Sequence, residues 1–293
     1  MTTLPQTIPV NKPAIPLSLH LTRFVENVVL YAFLIGISVF MMLPFLWMVS
    51  TSLKPPDEIF TSPPVFLSPN ATLDSYVYLL NNGILRQVGN SFVIALSATL
   101  LSLFFCSLGG YGFAKFRFPG KKAMFVLLLG TMIIPFTIIM GPLFVIMRDL
   151  KWIDTFWPLI IPGVANAFGI FFMRQYISTL TAELLDAARI DGAGEFTIYL
   201  RVVVPIIAPG LVSLGLIFFM NSWNNYLWPL VVLKSPDNFT LPLVIRSTIG
   251  PAGRTVWNVQ MAASVISVIP LLIIFLVFQR RFVEGITAGA VKS

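Results

Sequence analysis

AELLDAARIDGAGEFTIYLRVVVPIIAP, residues 182–209, is a polar island set between two long apolar runs. It carries Glu183, Asp186, Arg189, Asp191, Glu195 and Arg201 in a chain that is only 11% charged. Ionisable side chains at that density do not sit in hydrocarbon. The stretch is also too regular to be a mere connector, so it reads as a segment presented in water to a partner.

The rest of the chain explains the contrast. It is 57% hydrophobic and 13% aromatic, with a mean hydropathy of +0.87. Soluble domains stay near about 45–50% apolar. The apolar residues come in runs of the length that a bilayer span needs, about 20 residues. One large soluble core would not require such runs. The composition therefore describes an all-α integral membrane protein embedded in a lipid bilayer.

Six runs stand out, at residues 25–53, 87–114, 123–147, 156–177, 204–231 and 258–279. Each reads as a transmembrane helix, because an isolated strand cannot satisfy its backbone in lipid. The expected organisation is a cytoplasmic leader (1–24), a first span (25–53), an outer loop (54–85), a core of five spans (86–280) with the polar loop at 179–204, and a cytoplasmic tail (281–293). The leader, MTTLPQTIPVNKPAIPLS over its first eighteen residues, lacks the apolar core and cleavage site of a signal peptide. No internal repeat marks an inverted-repeat transporter.

Orientation follows from Lys and Arg. With both termini inside, the inner segments hold Lys12, Arg23, Lys115, Arg117, Lys121, Lys122, Arg174, Arg189, Arg201, Arg280, Arg281 and Lys292. The outer ones hold only Lys54, Arg86, Arg148, Lys151, Lys234, Arg246 and Arg254. The bias favours an N-in, C-in topology with the island in the cytoplasm. The same scatter argues against a nucleic-acid partner, because a formal charge of +7 spread over loops is no phosphate-tracking groove. One cysteine, Cys106, permits no internal disulfide, and one histidine, His20, makes a metal site of the usual ligands improbable.

Away from their ends, the runs contain no Asp, Glu, Lys, Arg or His. Proton-coupled carriers and ion pumps rely on such groups within the bilayer. Nor is there a GxxxxGK[ST] loop, so the chain has no P-loop for ATP. Uphill transport would need energy from another subunit. Prolines 44, 135, 142, 158, 162, 205, 209, 229 and 270 interrupt the spans or cap them, which suits either ordinary kinking or a path that opens and closes.

Within the island, Thr179 and Thr181 are candidate N-caps, and Glu183 places a negative charge in the first turn. Leu184, Ala187 and Ala188 share a side at i, i+3, i+4 spacing, flat enough for a groove. Asp191, Gly192, Ala193 and Gly194 end this helix, with glycine free to take positive φ. A second helical stretch, Glu195 to Val203, returns the chain to the membrane at Pro205. A stray amphipathic helix on the headgroups is the plainer alternative, but its face would be basic, and this one is mostly acidic.

At these residues a resemblance becomes specific. The island resembles the cytoplasmic loop of importer permeases of the ATP-binding-cassette class, patterned EAA, three residues, Gly, nine residues, then I-x-L-P. Here the match is Asp186-Ala187-Ala188, Gly192, then Val202, Val204 and Pro205. IDGAG (190–194) is similar to the carbohydrate-uptake branch, and within it to the maltose-permease type with two different membrane subunits. GNSFVIALSATLLSLFFCSLGGYGFAKFRFPGK (89–121), FFMNSWNNYLWPLV (218–231) and QRRFVEGITAGAVKS (279–293) resemble that branch as well. Asp186 departs from the usual Glu, one methylene shorter, and Thr181 stands where this branch often has Pro.

The resemblance implies a type I ABC importer permease fold in a bacterial or archaeal cytoplasmic membrane. It implies a cassette ATPase dimer, a second and different permease, and an extracytoplasmic solute-binding protein as partners. No cofactor would be bound by this chain, since ATP and magnesium sit in the partner ATPase. Glu183, Asp186, Ala187, Ala188, Asp191, Gly192 and Pro205 would form the coupling loop. The solute would be an oligosaccharide, polyol or glycerol phosphate. Trp223, Asn224, Asn225 and Tyr226 of WNNYLW offer stacking and amide hydrogen bonds to such a solute, or else anchor the span at the interface. An ATP-independent facilitator or a sodium-coupled carrier is the competing class, and a membrane enzyme would need clustered catalytic groups.

Overall fold

The computed structural model describes residues 17–247 and 256–290, with side chains placed over 26–247 and 256–280. Most of the expected leader, the PAGRT stretch before Trp257 and the last three residues of the tail lie outside the described residues. In chain order the helices are α1 (Leu17–Ser52), α2 (Asp74–Asn81), α3 (Ile84–Lys115), α4 (Lys121–Thr131), α5 (Phe136–Asp149), α6 (Trp157–Ile160) and α7 (Ala167–Ser178). Then follow α8 (Ala182–Ile190), α9 (Glu195–Ile198), α10 (Val204–Ile206), α11 (Ala208–Trp223), α12 (Leu227–Val232), α13 (Leu241–Ser247) and α14 (Trp257–Ala290). There is no strand among the described residues.

Among the described residues, only α1, α3 and α14 are single helices long and apolar enough to cross a membrane. The other three expected runs are not single helices but are broken into shorter pieces. The run at 123–147 is α4 and α5, bent by 97° where Pro135 removes a donor and fixes φ. The run at 156–177 is a short α6, a turn through Pro162 and Gly163, and α7, whose first turn is capped by the Asn166 side chain accepting from the Gly169 N–H at 3.1 Å. The run at 204–231 bends by 80° at Ile207 and breaks again after Trp223. Counting each bent pair once gives up to five candidate spans. The outermost helices extend past their apolar spans, Glu26–Ser52 and Trp257–Arg280. α1 starts inside the expected leader, and α14 runs on into the expected tail.

The expected outer loop, 54–85, is folded rather than loose. A 3-10 turn at Pro56–Glu58 and α2 fill it. Lys54 is buried against the Trp47 ring and donates to the Val65 carbonyl, while Ser52 and Tyr76 share a hydrogen bond at 2.7 Å.

α3, about 48 Å long for its 32 residues, is the axis of the molecule. Its first turns meet the 234–241 segment, through Arg86 to Asp237 at 2.8 Å and Asn90 to the Phe239 carbonyl at 3.1 Å. Its last turns meet the polar island at the opposite end. Along its middle it lies against α7 with almost no side chain between. A Cβ on Gly110 would stand 2.7 Å from Met173 Cβ and 2.8 Å from the Arg174 nitrogen, and one on Gly169 would stand 2.7 Å from Cys106 Sγ. Cys106 and Gly110 on α3 thus mesh with Gly169 and Met173 on α7, the small-residue crossing that membrane helices favour. Cys106 acts here as a small packing residue, its thiol directed at the Asn166 carbonyl at 3.4 Å.

At the end of the molecule away from the island, Asp154 ties two loops together. Its carboxylate accepts the Lys234 N–H at 2.9 Å, the Ser235 N–H at 3.0 Å and the Ser235 hydroxyl. Desolvation raises its pKa, but the Ser235, Lys234 and Asn238 donors outweigh that and hold it below the usual carboxylate range. Because the folded carboxyl titrates below the unfolded one, its contribution is present above about pH 4 and is lost only as pH falls through the lower folded value.

The α3–α7 crossing yields a paired test. Gly110→Ala should lower thermal stability in detergent by about 1–3 kcal/mol, the usual cost of overpacking. Gly112→Ala, whose Cβ would meet nothing within 4 Å, should be neutral or stabilising by up to about 1 kcal/mol. Equal effects at the two positions would contradict the close crossing.

Candidate coupling site

α8 is positioned by one apolar anchor and a set of polar ties. Leu185 is 1% exposed, in a cluster with Tyr111, Ile198, Tyr199 and Val203. Ala188 packs at the edge of that cluster. Leu184 and Ala187 do not share that face; they point outward, with Ile190, which is 87% exposed. The expected Leu184, Ala187 and Ala188 face is therefore split, with Ala188 turned to the bundle. The outward face is Leu184, Ala187 and Ile190, flanked by Glu183, Asp186 and Asp191, all exposed.

Thr181 occupies the N-cap position without a side-chain cap, and Thr179 ends α7 with its hydroxyl donating to the Tyr176 carbonyl at 2.7 Å. Neither threonine caps α8 by its side chain. Its C-terminus is closed as the spacing suggests. Asp191 is the C-cap and Gly192 has φ +81°. The Gly192 N–H reaches the Arg189 carbonyl at 3.0 Å and the Ala193 N–H reaches the Ala188 carbonyl at 3.1 Å. That is the Schellman pattern, which needs a left-handed residue at this point. A Cβ there would meet nothing within 4 Å, so the demand for glycine is conformational and not one of space.

Arg189 joins the two halves of the loop. One nitrogen bonds Asp186 at 2.6 Å and another bonds Glu195 at 2.7 Å. The second oxygen of Glu195 accepts the Tyr111 hydroxyl of α3 at 2.9 Å. These carboxylates, Glu195 first and then Asp186, push the guanidinium pKa above its ordinary value. Two further bonds attach the loop to α3. Lys115 donates to the Leu180 carbonyl just before α8, and Tyr199 shares a hydrogen bond with Ser107 at 2.7 Å. Ion pairs this exposed contribute little, being screened by water and salt, while burial of a leucine contributes about 1.5–3 kcal/mol. Leu185 holds the helix down, and the Arg189 pairs set its direction.

Pro205 does not stop the returning helix. A five-residue π turn, Tyr199–Val203, precedes it and opens the hydrogen-bond ladder, so the chain continues through Pro205 to Ile206 before bending.

The WNNYLW residues sit apart from the loop. Trp223 is 1% exposed, stacked on Phe219 at 5.8 Å, with its indole N–H on the Ser267 carbonyl at 3.1 Å. Its ring is part of the core. Trp228 is likewise buried, bonded to the Pro158 carbonyl at 2.9 Å. Asn224 is exposed, its amide turned back to the Met220 carbonyl at 2.9 Å, while Asn225 and Tyr226 are half-buried. Of the four expected path residues, Asn224 is the accessible one.

Tyr111, Lys115, Arg189, Glu195, Tyr199 and Ser107 escaped the sequence reading as site residues. Ser107 and Tyr111, four apart on one face at the end of an apolar run, carried the available signal. Among the described residues, no group of three or more His, Cys, Asp or Glu side chains converges.

Residues 106–288 match the family described as binding-protein-dependent transport system inner membrane component. The chain is 38% identical over 267 residues to the arabinooligosaccharides transport system permease protein AraQ of Halalkalibacterium halodurans, covering 90% of this chain and 94% of that one. It is 33% identical to the lactose transport system permease protein LacG of Rhizobium radiobacter, covering 93% and 98%. The fold superposes with a TM-score of 0.76 on a chain of a bacterial ABC transporter involved in import of the acidic polysaccharide alginate, at 26% identity, covering 92% and 100%. The chain therefore belongs to the binding-protein-dependent ABC importer permeases, as a non-catalytic subunit in the membrane.

Proposed function

We propose that the outward face of α8 is the dock for a cassette ATPase, and that this chain transmits ATPase closure to a path for a sugar or sugar-like solute. The observation that carries this is a solvent-facing apolar strip, Leu184, Ala187 and Ile190, on a helix whose other side is anchored by Leu185. A helix so placed moves as one piece with α3. Glu183 and Asp191 flank the strip and would fix the helix on the ATPase surface. Asp186 acts mainly inward, holding Arg189, which suits a side chain one methylene shorter than Glu. Gly192 sets the angle at which the chain leaves the dock, and Pro205, with its π turn, carries the motion into α11.

The complex on this reading contains an ATPase dimer, a second and different permease, and an extracytoplasmic solute-binding protein. ATP and magnesium belong to the ATPase. The island and the KFRFPGKK cluster lie together at one end of α3, which supports placing that end, and both termini, in the cytoplasm, with the remaining broken run as the sixth crossing. The relatives named for arabinooligosaccharides and lactose support a carbohydrate cargo, with Asn224 as the accessible candidate on the path.

Gly192→Val should leave the complex in the membrane but reduce transport at least tenfold, because a β-branched residue is strained by about 1–2 kcal/mol or more in the left-handed region. Gly192→Asn should retain most activity, since Asn tolerates that conformation. Leu185→Ala should also lower transport through a cost of about 2–5 kcal/mol at the anchor, although it touches no partner. Solute-stimulated ATPase and uptake in proteoliposomes measure all three; normal stimulation in Gly192→Val would overturn the proposal.

A further inference from the structure

The FRFPGKK turn (116–122) carries α3 into α4 past the last turns of α7. Turn, α4 and α7 bound an open cleft of about 1260 Å³. Its mouth is cationic, with Lys121, Lys122 and Arg174, and its floor is Phe125. One wall runs up α4 as Val126 and Leu127, both exposed. The floor is rigid: Phe125 lies 5.4 Å from Phe113 and 6.3 Å from Phe171. The Arg174 guanidinium sits 4.0 Å over the Phe125 ring, and its Nε–H points to the Phe113 carbonyl at 3.4 Å. Lys121 donates to the Phe116 carbonyl at 2.8 Å.

Those contacts fix two of the cations in place without neutralising them. Among the described residues, none of the three takes part in an ion pair. Neither α4, α7 nor the turn contains an Asp or Glu. Three uncompensated charges around an aromatic, low-dielectric floor call for an anion. The apolar wall decides which kind. Inorganic phosphate would leave Val126 and Leu127 bare, whereas a ligand with an anionic head and hydrocarbon chains covers both.

We propose that this cleft binds the headgroup of an anionic phospholipid, its phosphodiester held by Lys121, Lys122 and Arg174 and its chains laid along Val126 and Leu127. The cleft is at the island's end of α3, since Lys115 bonds the Leu180 carbonyl there. Assigning the lipid to the cytoplasmic leaflet, whose surface is negative, rests on the proposed orientation; headgroup binding itself does not.

The test uses the full chain purified in detergent with its complex, titrated with phosphatidylglycerol or phosphatidylcholine and read by native mass spectrometry. Phosphatidylglycerol should be retained and phosphatidylcholine should not, with no displacement by millimolar inorganic phosphate. Lys122→Gln, at an exposed position, should weaken phosphatidylglycerol about fivefold, and the triple variant Lys121→Gln, Lys122→Gln, Arg174→Gln about 100-fold. Lys121→Arg with Lys122→Arg should bind as the parent does. Equal retention of the two lipids, unchanged binding in both Gln variants, or displacement by phosphate would overturn the proposal. So would loss of the ATPase from the Lys122→Gln complex with lipid binding intact, which would assign the patch to the ATPase. A complex without any ATPase that still retains phosphatidylglycerol would refute the proposed function and leave the lipid site standing.

Discussion

The burial of Leu185 among Tyr111, Ile198, Tyr199 and Val203 is the contact on which the rest of the molecule's behaviour depends. A nine-residue helix in water is too short to hold itself together, because nucleation costs more than so few turns return. α8 exists because one side chain is taken out of water and because both flanks of the helix are tied to α3. The Arg189 bridge adds little energy at its exposure, but it joins the first half of the island to the second and, through Glu195, to Tyr111. Movement of the island relative to the bundle would have to expose Leu185 first.

The same economy of contact governs the membrane-embedded part. Helices in lipid gain nothing from merely hiding apolar surface from one another, so backbones approach where small residues allow it. Cys106, Gly110 and Gly169 serve that end, and they bring α3 and α7 into close backbone contact. α1 lacks such a contact and packs chiefly on α14, leaving most of its apolar surface free. A helix so placed faces lipid or another subunit.

Much of this was legible in residue order alone, and the failures have physical causes. The all-helical membrane class followed from composition and run length. The island and its turn followed from charge, helix propensity and a glycine at the right spacing, and Gly192 takes the positive φ that the turn requires. Hydropathy does not see where a helix breaks: Pro135 and Pro162 marked interruptions, but nothing in the apolar run marked the break after Trp223. At Pro205 a π turn that the sequence does not mark absorbs the proline, and the helix goes on to Ile206. Periodicity placed Leu184, Ala187 and Ala188 together, but it could not tell which of two adjacent leucines would be buried; that is decided by Tyr111 and Ile198, distant in sequence. Trp223 looked like a ligand platform because indoles suit sugars, yet its N–H finds the Ser267 carbonyl across the bundle. The Arg189 bridge needed Tyr111, which lies 84 residues from Glu195.

On the proposed function, the island and α3 move as one body during the partner ATPase's cycle. Spin labels at Ala182→Cys, exposed at the start of α8, and Leu100→Cys, exposed on α3, report this directly by pulsed electron resonance in the assembled transporter. The native thiol of Cys106 is fully buried and stays unlabelled. The label separation should stay the same, within about 2 Å, in nucleotide-free and ATP-bound states, because close packing transmits motion without absorbing it. A separation that changes by a helical turn, about 5 Å, would mean that the loop flexes on its own and that α3 does not move with it.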